Sequence, residues 1–366
     1  MKRSSSSLRA LVIVAIVAGQ GFCVGFGPPR LAGGDFGRAS LWPGQVHDLA
    51  ALSRQPELDA AAALLVDVAT QKVIYSKEAS RRLAPASTTK MMTAFIAIER
   101  GRLDDTVVVQ PGDLQVASAS GLSAGEAWTL RDLLYDLLLP SDNAAAVIIA
   151  RHIAGSEAAF VDLMNAQAAE WGLKDTHFAN PHGLDDPDHY STAGDLAQIA
   201  LHGLAQPVFA DIVSTPEKRA GGRALRNLNE LLGSYAGAEG VKTGTTDAAG
   251  QCLVAAAGRP EGRALAVVLG STDRYRDARA LLDYYFTNYR LAAPGLGPVG
   301  LNTIRQPDGS RAVLALERRP MLLLPLWQVP WLQVSRVEQA GAPGGTARFV
   351  AGSTVLAEVP LQVLAP

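Results

Sequence analysis

Three short motifs stand in order along the chain, Ser87-Thr88-Thr89-Lys90, then Ser141-Asp142-Asn143, then Lys242-Thr243-Gly244, and each occurs once in 366 residues. A fold open to this chain has to bring them to one place, because together they make a serine acyl-transfer site. Singly each is weak, since a serine and a lysine three residues apart also describe one turn of a surface helix. Order, single occurrence and local setting carry the reading.

A serine hydroxyl is a poor nucleophile until a base takes its proton, and a base three residues on along a helix lies on the same face. Lys90 is so placed relative to Ser87. Lysine acts as a base near neutral pH only where burial or a second cation lowers its pKa. The apolar residues after Lys90 offer the first, and Lys242 offers the second if its strand runs beside the helix start. The tetrahedral intermediate needs two N–H donors, for which the Ser87 and Thr245 amides are the candidates. Gly244 presents no side chain on its strand face, which lets an extended substrate approach and pair along it. Ser141 is placed to pass a proton to a leaving amine. The Asn143 amide is suited to bond both Lys90 and a substrate carbonyl, with Asp142 turned away. The same three residues also read as a helix N-cap after Pro140, and the two readings are compatible.

Residues 1–27 have a basic start (Lys2, Arg3, Arg9) and an apolar run from Leu11 to Ala18, the pattern of an export segment. Cleavage as a signal peptide is the favoured fate, and retention as a membrane anchor is the other. Phe22 before Cys23 argues against lipidation. The mature protein is therefore expected outside the cytoplasm, in the periplasm or on the outer face of the cytoplasmic membrane. Cys252, in an apolar stretch, would have no disulfide partner and reads as a buried thiol. Six scattered histidines give no zinc-ligand spacing, with His177 and His182 read as structural, so neither metal nor cofactor is expected. A formal net charge of −2 offers no general attraction to nucleic acid.

Residues 28–56, with Pro28-Pro29 and Gly33-Gly34, read as a linker with a short helix near Val46–Leu52. Ala62–Val68 and Lys72–Tyr75 suit a hairpin, and Ser87 should open a helix that is apolar on nearly every side. Helices are expected over Leu130–Leu139 and Asn143–Ile153, with Ser141 on the turn between them. Gly240–Gly244, Cys252–Ala257 and Ala264–Leu269 read as strands of an antiparallel sheet. A closing helix over 273–290 should turn Ala278, Leu281, Leu282, Tyr285 and Phe286 inward. From about 295 short β-prone segments replace helical periodicity, so an all-β domain over 295–366 is expected. Met321-Leu322-Leu323-Leu324 reads as a buried strand there. The class is α+β.

At this point the sequence resembles the serine D-alanyl-D-alanine carboxypeptidases, the low-molecular-weight penicillin-binding proteins of peptidase family S11. The likeness lies in Leu83–Thr93 around the first motif, in Thr176–Leu184, in Gly240–Gly250 and in the tail from Ala340 to Leu361, and runs from about residue 57 to 363. It implies a β-lactamase/transpeptidase-like catalytic domain over 57–292, with an antiparallel sheet flanked by helices and the three motifs meeting in a cleft, plus a C-terminal β-sandwich. It implies Ser87 as nucleophile, Lys90 as base, and Ser141, Asn143 and Lys242 in the active site. The substrate would be a peptidoglycan stem peptide ending in D-Ala-D-Ala, with β-lactams as covalent inhibitors. Relatives often carry arginine or threonine between two asparagines ahead of Lys-Thr-Gly, whereas Asn227-Leu228-Asn229 carries leucine, leaving Thr243, Lys242 or Arg226 for the substrate carboxylate. Some relatives end in an amphipathic membrane helix, but this sequence stops just after its last expected strand, so C-terminal anchoring is not expected. Two rivals share the motifs. A class A β-lactamase would need a Glu-x-x-x-Asn loop, and Glu170-Trp171-Gly172-Leu173-Lys174 lacks the asparagine. A non-catalytic penicillin-sensing module would not need both Lys90 and Lys242.

Overall fold

The computed structural model describes residues 54–118, 121–297, 302–306, 309–339 and 342–364. The expected export segment at 1–27, the linker up to residue 53, the helix near Val46–Leu52 and Cys23 lie outside the described residues.

Strands β1 (Ala62–Asp67) and β2 (Val73–Lys77) form the expected hairpin and lead to a 3-10 turn, Ala86–Thr89, and helix α1 (Lys90–Arg100). A ribbon of β3 (Thr106–Val108) and β4 (Ala127–Thr129) precedes α2 (Leu130–Leu138), α3 (Asn143–Ala154) and α4 (Glu157–Glu170). After α5 (Ala193–Ala205) and α6 (Pro207–Ser214), β5 (Glu217–Ala220) and β6 (Arg223–Arg226) make a second ribbon. Three long strands follow, β7 (Ala238–Thr246), β8 (Gly250–Arg259) and β9 (Gly262–Ser271), then helix α7 (Arg274–Asn288).

The central sheet has the order β2-β1-β9-β8-β7, all antiparallel, and both of its faces are covered. Side chains alternate across a strand, so each strand feeds two cores. From β1, β8 and β9, the residues Leu64, Val66, Val254, Ala256, Val267 and Leu269 pack toward the helices of 90–214. Their neighbours Leu65, Leu253, Ala255, Ala266 and Val268 pack against α7 through Ala278, Leu281, Leu282, Tyr285 and Phe286. Near-continuous apolar runs are what a sheet buried on both faces requires. Helix α1 runs through the first core, with Met91, Met92, Ala94 and Ile96 no more than 1% exposed. Cys252 is a buried thiol, which burial pushes up to about 11.

Beyond α7, strand β10 (Tyr289–Ala292) is followed by β11 (Thr303–Arg305), β12 (Arg311–Leu316), β13 (Leu322–Pro325), β14 (Leu332–Gln339), β15 (Ala342–Ala351) and β16 (Thr354–Leu364). Five of these form a sheet of order β11-β12-β16-β15-β14, while β13 pairs with β10. Alternation makes β13 a seam: Leu323 joins the core under α7, and Leu322 and Leu324 join the core of the tail.

Candidate active site

The first motif lies on a turn held from two sides. The sequence places Ser87 at the start of the helix; instead it sits within the 3-10 turn, and α1 proper begins at Lys90. Ala86 adopts φ +50°, a left-handed conformation that costs a residue with a Cβ about a kcal/mol or more and persists only where the surroundings enforce it. The enforcement comes from two glycines. A Cβ on Gly183, itself at φ +89°, would lie 2.0 Å from the Ala86 carbonyl oxygen, and one on Gly244 would lie 2.9 Å from both Ala86 Cβ and Ser87 N. The bare face of Gly244 is thus filled by the nucleophile turn itself, where the sequence suggested room for substrate. Below the turn, His189 Nδ1 accepts from the Ala179 N–H at 3.1 Å, so Nε2 carries the proton and donates to Thr89 Oγ1 at 2.7 Å. Burial pushes His189 down to about 4, which keeps that neutral form.

Lys90 is fully buried, and its Nζ lies 2.9 Å from Ser87 Oγ, 2.6 Å from Asn143 Oδ1 and 2.7 Å from the His182 carbonyl oxygen. Asn143 Nδ2 donates to the Ala117 carbonyl at 2.8 Å, which fixes Oδ1 toward the lysine. Two of the three contacts are therefore acceptors only. A neutral amine spends its two N–H bonds on them and turns its lone pair to the serine hydroxyl. Burial, then the charge of Lys242, holds Lys90 well below the ordinary lysine range, against an opposing pull from Asp142.

The second motif turns the corner between α2 and α3. Ser141 stands at φ +68°, with its Oγ buried and unpartnered. Asp142 caps α3 by accepting the Ala144 N–H at 2.7 Å, and its own N–H donates to the Asp136 carbonyl at 3.1 Å. The cap reading of this motif holds, and the same turn brings Asn143 to Lys90. Asp142 Oδ1 is spent on the cap of α3, and Asn143 Oδ1 reaches Lys90 Nζ.

The third motif occupies β7, the edge strand of the sheet. Lys242 is 1% exposed and donates to the Thr243 carbonyl at 3.1 Å; burial, then Arg274, brings it down to about 7. Thr243 is buried and Thr245 exposed along the same edge. Arg274, the first residue of α7, donates to the Gly244 carbonyl at 2.7 Å, to the Cys252 carbonyl at 3.0 Å and to Thr245 Oγ1. Arg226 is exposed at the end of β6, opposite Glu217, and no described contact joins it to the cluster. Leu228, 51% exposed, has its N–H on the Leu139 carbonyl and its carbonyl on the Tyr275 hydroxyl.

Comparison with known proteins decides the family. A family model described as D-alanyl-D-alanine carboxypeptidase, peptidase S11, matches residues 50–273, more than half of the chain. The chain belongs to this family. D-alanyl-D-alanine carboxypeptidase DacF of Bacillus subtilis is 38% identical over 246 residues, 63% of this chain and 63% of its own length. DacA of Escherichia coli is 31% identical over 340 residues, 84% of each chain. Thus the chain spans less than two thirds of the first relative and most of the second. Among solved structures, penicillin binding protein 6B of Escherichia coli aligns with a TM-score of 0.70 at 28% identity, covering 86% of this chain and 97% of that one. A likeness over most of both chains is in line with the fold class expected for the family.

Two groups at this carboxypeptidase-family site are not readable as site residues from their own types. The carbonyl of His182 is a backbone atom, and its only trace is the Asn180-Pro181-His182-Gly183 loop. There Asn180 Oδ1 accepts from the Gly183 N–H at 2.7 Å and shapes the turn. Arg274 has no motif around it. What marks it is its position as the first residue of the helix after the Lys-Thr-Gly sheet, with Asp273 as N-cap accepting the Arg276 N–H at 3.0 Å.

Proposed function

We propose that this chain is a serine-type D-Ala-D-Ala carboxypeptidase that removes the terminal D-alanine from peptidoglycan stem peptides through an acyl-enzyme on Ser87. The observation that carries the reading is the setting of Lys90 Nζ, with two acceptor-only partners and the nucleophile as the third. The neutral amine takes the Ser87 proton as Oγ attacks the carbonyl of the penultimate D-alanine. The oxygen of that carbonyl becomes an oxyanion, received by the Ser87 and Thr245 amides. Ser141, whose hydroxyl is uncommitted, delivers its proton to the amide nitrogen and takes in exchange the one held by the Lys90 ammonium, so that the C–N bond breaks, free D-alanine leaves and Lys90 is neutral again. Water then cleaves the ester and restores the serine. A β-lactam follows the same first steps, but its leaving nitrogen stays tethered in the ring-opened acyl-enzyme.

The free carboxylate of the substrate calls for cations and hydroxyls beside β7. Lys242, Thr243 and Thr245 supply them together with Arg274, which takes the place that the sequence offered to Arg226. The catalytic part corresponds to 57–292 and the β tail to 295–366, with β10 and β13 as the seam between them. Export by residues 1–27, retained as an anchor or removed, would put the enzyme in the periplasm or on the outer face of the cytoplasmic membrane, where the cell wall is made.

Incubating the protein with a diacyl-L-Lys-D-Ala-D-Ala peptide should release D-alanine, and fluorescent penicillin should label it covalently. Ser87→Ala should lose both with the fold intact. Rapid penicillin hydrolysis without D-alanine release would point to a β-lactamase. Labelling without either turnover would point to a sensing module.

A further inference from the structure

The loop of residues 180–185 meets the site at three points, and the acyl transfer proposed for Ser87 uses only the first. There the His182 carbonyl accepts from Lys90 Nζ at 2.7 Å. At the second, Gly183 backs the nucleophile turn, where a Cβ would lie 2.0 Å from the Ala86 carbonyl oxygen and 3.0 Å from Ser87 N. At the third, Asp185 reaches the end of the edge strand: Oδ1 accepts from the Thr246 hydroxyl at 2.5 Å and Oδ2 from the Ala248 N–H at 3.1 Å. The loop is braced between these points, since Asn180 Oδ1 accepts from the Gly183 N–H at 2.7 Å and Nδ2 donates to the Leu184 carbonyl at 3.0 Å. Thr246 is tied in as well. Having given its proton to Asp185, its Oγ1 accepts from the Ala249 N–H at 3.1 Å, and its main chain pairs with Gly250 at the end of the β7–β8 hairpin. Asp185 is exposed, and both of its oxygens are engaged by this turn.

The Ser87 and Thr245 amides are the two donors for the oxyanion. Gly183 lies against the first, Asp185 holds the neighbour of the second, and only Leu184 separates them in the chain. We propose that Asp185 is a positioning residue for the oxyanion hole: its two bonds tie the end of β7 to the loop that backs Ser87 and so set the gap between the two amides. Arg274 fixes the same stretch from the side of α7, through the Gly244 carbonyl and Thr245 Oγ1, and Asp185 supplies the tie from the side of the nucleophile. Oxyanion donors act only within about 2.7–3.1 Å of the place where charge develops, so an error in the gap is felt in the transition state and little in the bound substrate.

The proposal rests on acyl transfer at Ser87, and the experiment separates the two. In the full chain, kcat and KM for D-alanine release from a diacyl-L-Lys-D-Ala-D-Ala peptide, the affinity for phenylboronic acid and the unfolding midpoint are measured. The proteins are the parent, Asp185→Ala, Thr246→Val, the double variant and Thr246→Ser. Boron takes the electron pair of Ser87 Oγ and becomes a tetrahedral anion whose oxygen occupies the hole, so this affinity reads the hole without turnover. Losing a donor outright costs a hundredfold or more, and a donor displaced but present should cost about tenfold. Asp185→Ala should therefore lower kcat about tenfold with KM within about twofold, because acylation and deacylation both pass through an oxyanion and slow together. Boronic acid affinity should fall by about the same factor. Thr246→Val removes the hydroxyl bond from its other end and should lower kcat and the affinity in the same way. The double variant should be little worse than either single one, since all three break one tie. Thr246→Ser keeps the hydroxyl and should stay within about twofold of the parent. Midpoints should fall by no more than about 5 °C, as for one hydrogen-bonded turn at the surface. An unchanged kcat, a loss confined to KM, a boronic acid affinity that ignores the mutations, or losses that multiply in the double variant would each overturn the proposal. Should Asp185→Ala not fold, Thr246→Val decides by the same readings; if neither folds, the tie carries stability and the proposal falls. A parent that takes no penicillin label and releases no D-alanine would instead refute acyl transfer at Ser87.

Discussion

Lys242 acts on Lys90 through charge alone, since no contact joins their ammonium groups among the described hydrogen bonds, and the two effects on Lys90 can be separated by mutation. The base works when neutral, and the neutral fraction grows as pH rises. Removing the cation with Lys242→Gln raises the Lys90 pKa, so the acid limb of penicillin acylation should move to higher pH while staying below the ordinary lysine range, because burial is the larger cause. A limb that stays put would leave burial as the whole explanation. Gly244 tests position in place of charge. Gly244→Ala puts a methyl 2.9 Å from Ser87 N and Ala86 Cβ, which forces the nucleophile turn to shift by a few tenths of an ångström. Misplacement of 1 Å costs about a hundredfold in rate, and overpacking costs about 1–3 kcal/mol of stability. Acylation should therefore fall by about tenfold or more in a protein that still folds, measured as the labelling rate beside a melting curve; an unchanged rate would show that the turn is not clamped there.

Among the elements, α7 links the site to the sheet, and Arg274 is where the link is made. Its guanidinium bonds carbonyls on both β7 and β8 and the Thr245 hydroxyl, so it either receives the substrate carboxylate or only splints two strands. Arg274→Gln distinguishes them. If the cation receives the carboxylate, turnover of a D-Ala-D-Ala peptide should fall by at least about tenfold more than acylation by a penicillin methyl ester, which lacks that charge. Equal losses would make it a splint. This residue also shows where the sequence stops being legible. Unbroken apolar runs announced β8 and β9, as burial on both faces demands, and the inward set Ala278, Leu281, Leu282, Tyr285 and Phe286 announced the face of α7, because burial on a regular element leaves its trace in the sequence. The three motifs located Ser87, Lys90, Asn143 and Lys242 for the same kind of reason, as side chains at fixed spacing. Arg274, the His182 carbonyl and the 3-10 step before α1 depend on how distant segments pack, and no local pattern encodes that.

For the molecule as a whole, the question is what the β tail does for the catalytic part. Strand β13 answers through its alternation: Leu322 and Leu324 belong to the tail, but Leu323 is buried among Tyr285, Phe286 and Leu282 beneath α7, while its backbone pairs with β10. The tail thus contributes a side chain and a strand edge to the far face of the central sheet, and the motifs lie on the edge strand β7 and on the helical side. Support without participation is the consequence. A chain ending at Pro294 loses Leu323 and leaves β10 unpaired; truncation of a buried leucine alone costs about 2–5 kcal/mol, which lowers the midpoint of a domain this size by roughly 5 °C or more. Leu323→Ala in the full chain should reproduce most of that drop with penicillin acylation at 25 °C within about twofold of the parent. The shortened chain should melt lower and still be labelled at Ser87. If it folds, by circular dichroism, and takes no label, the tail completes the site from a distance and the seam carries more than stability.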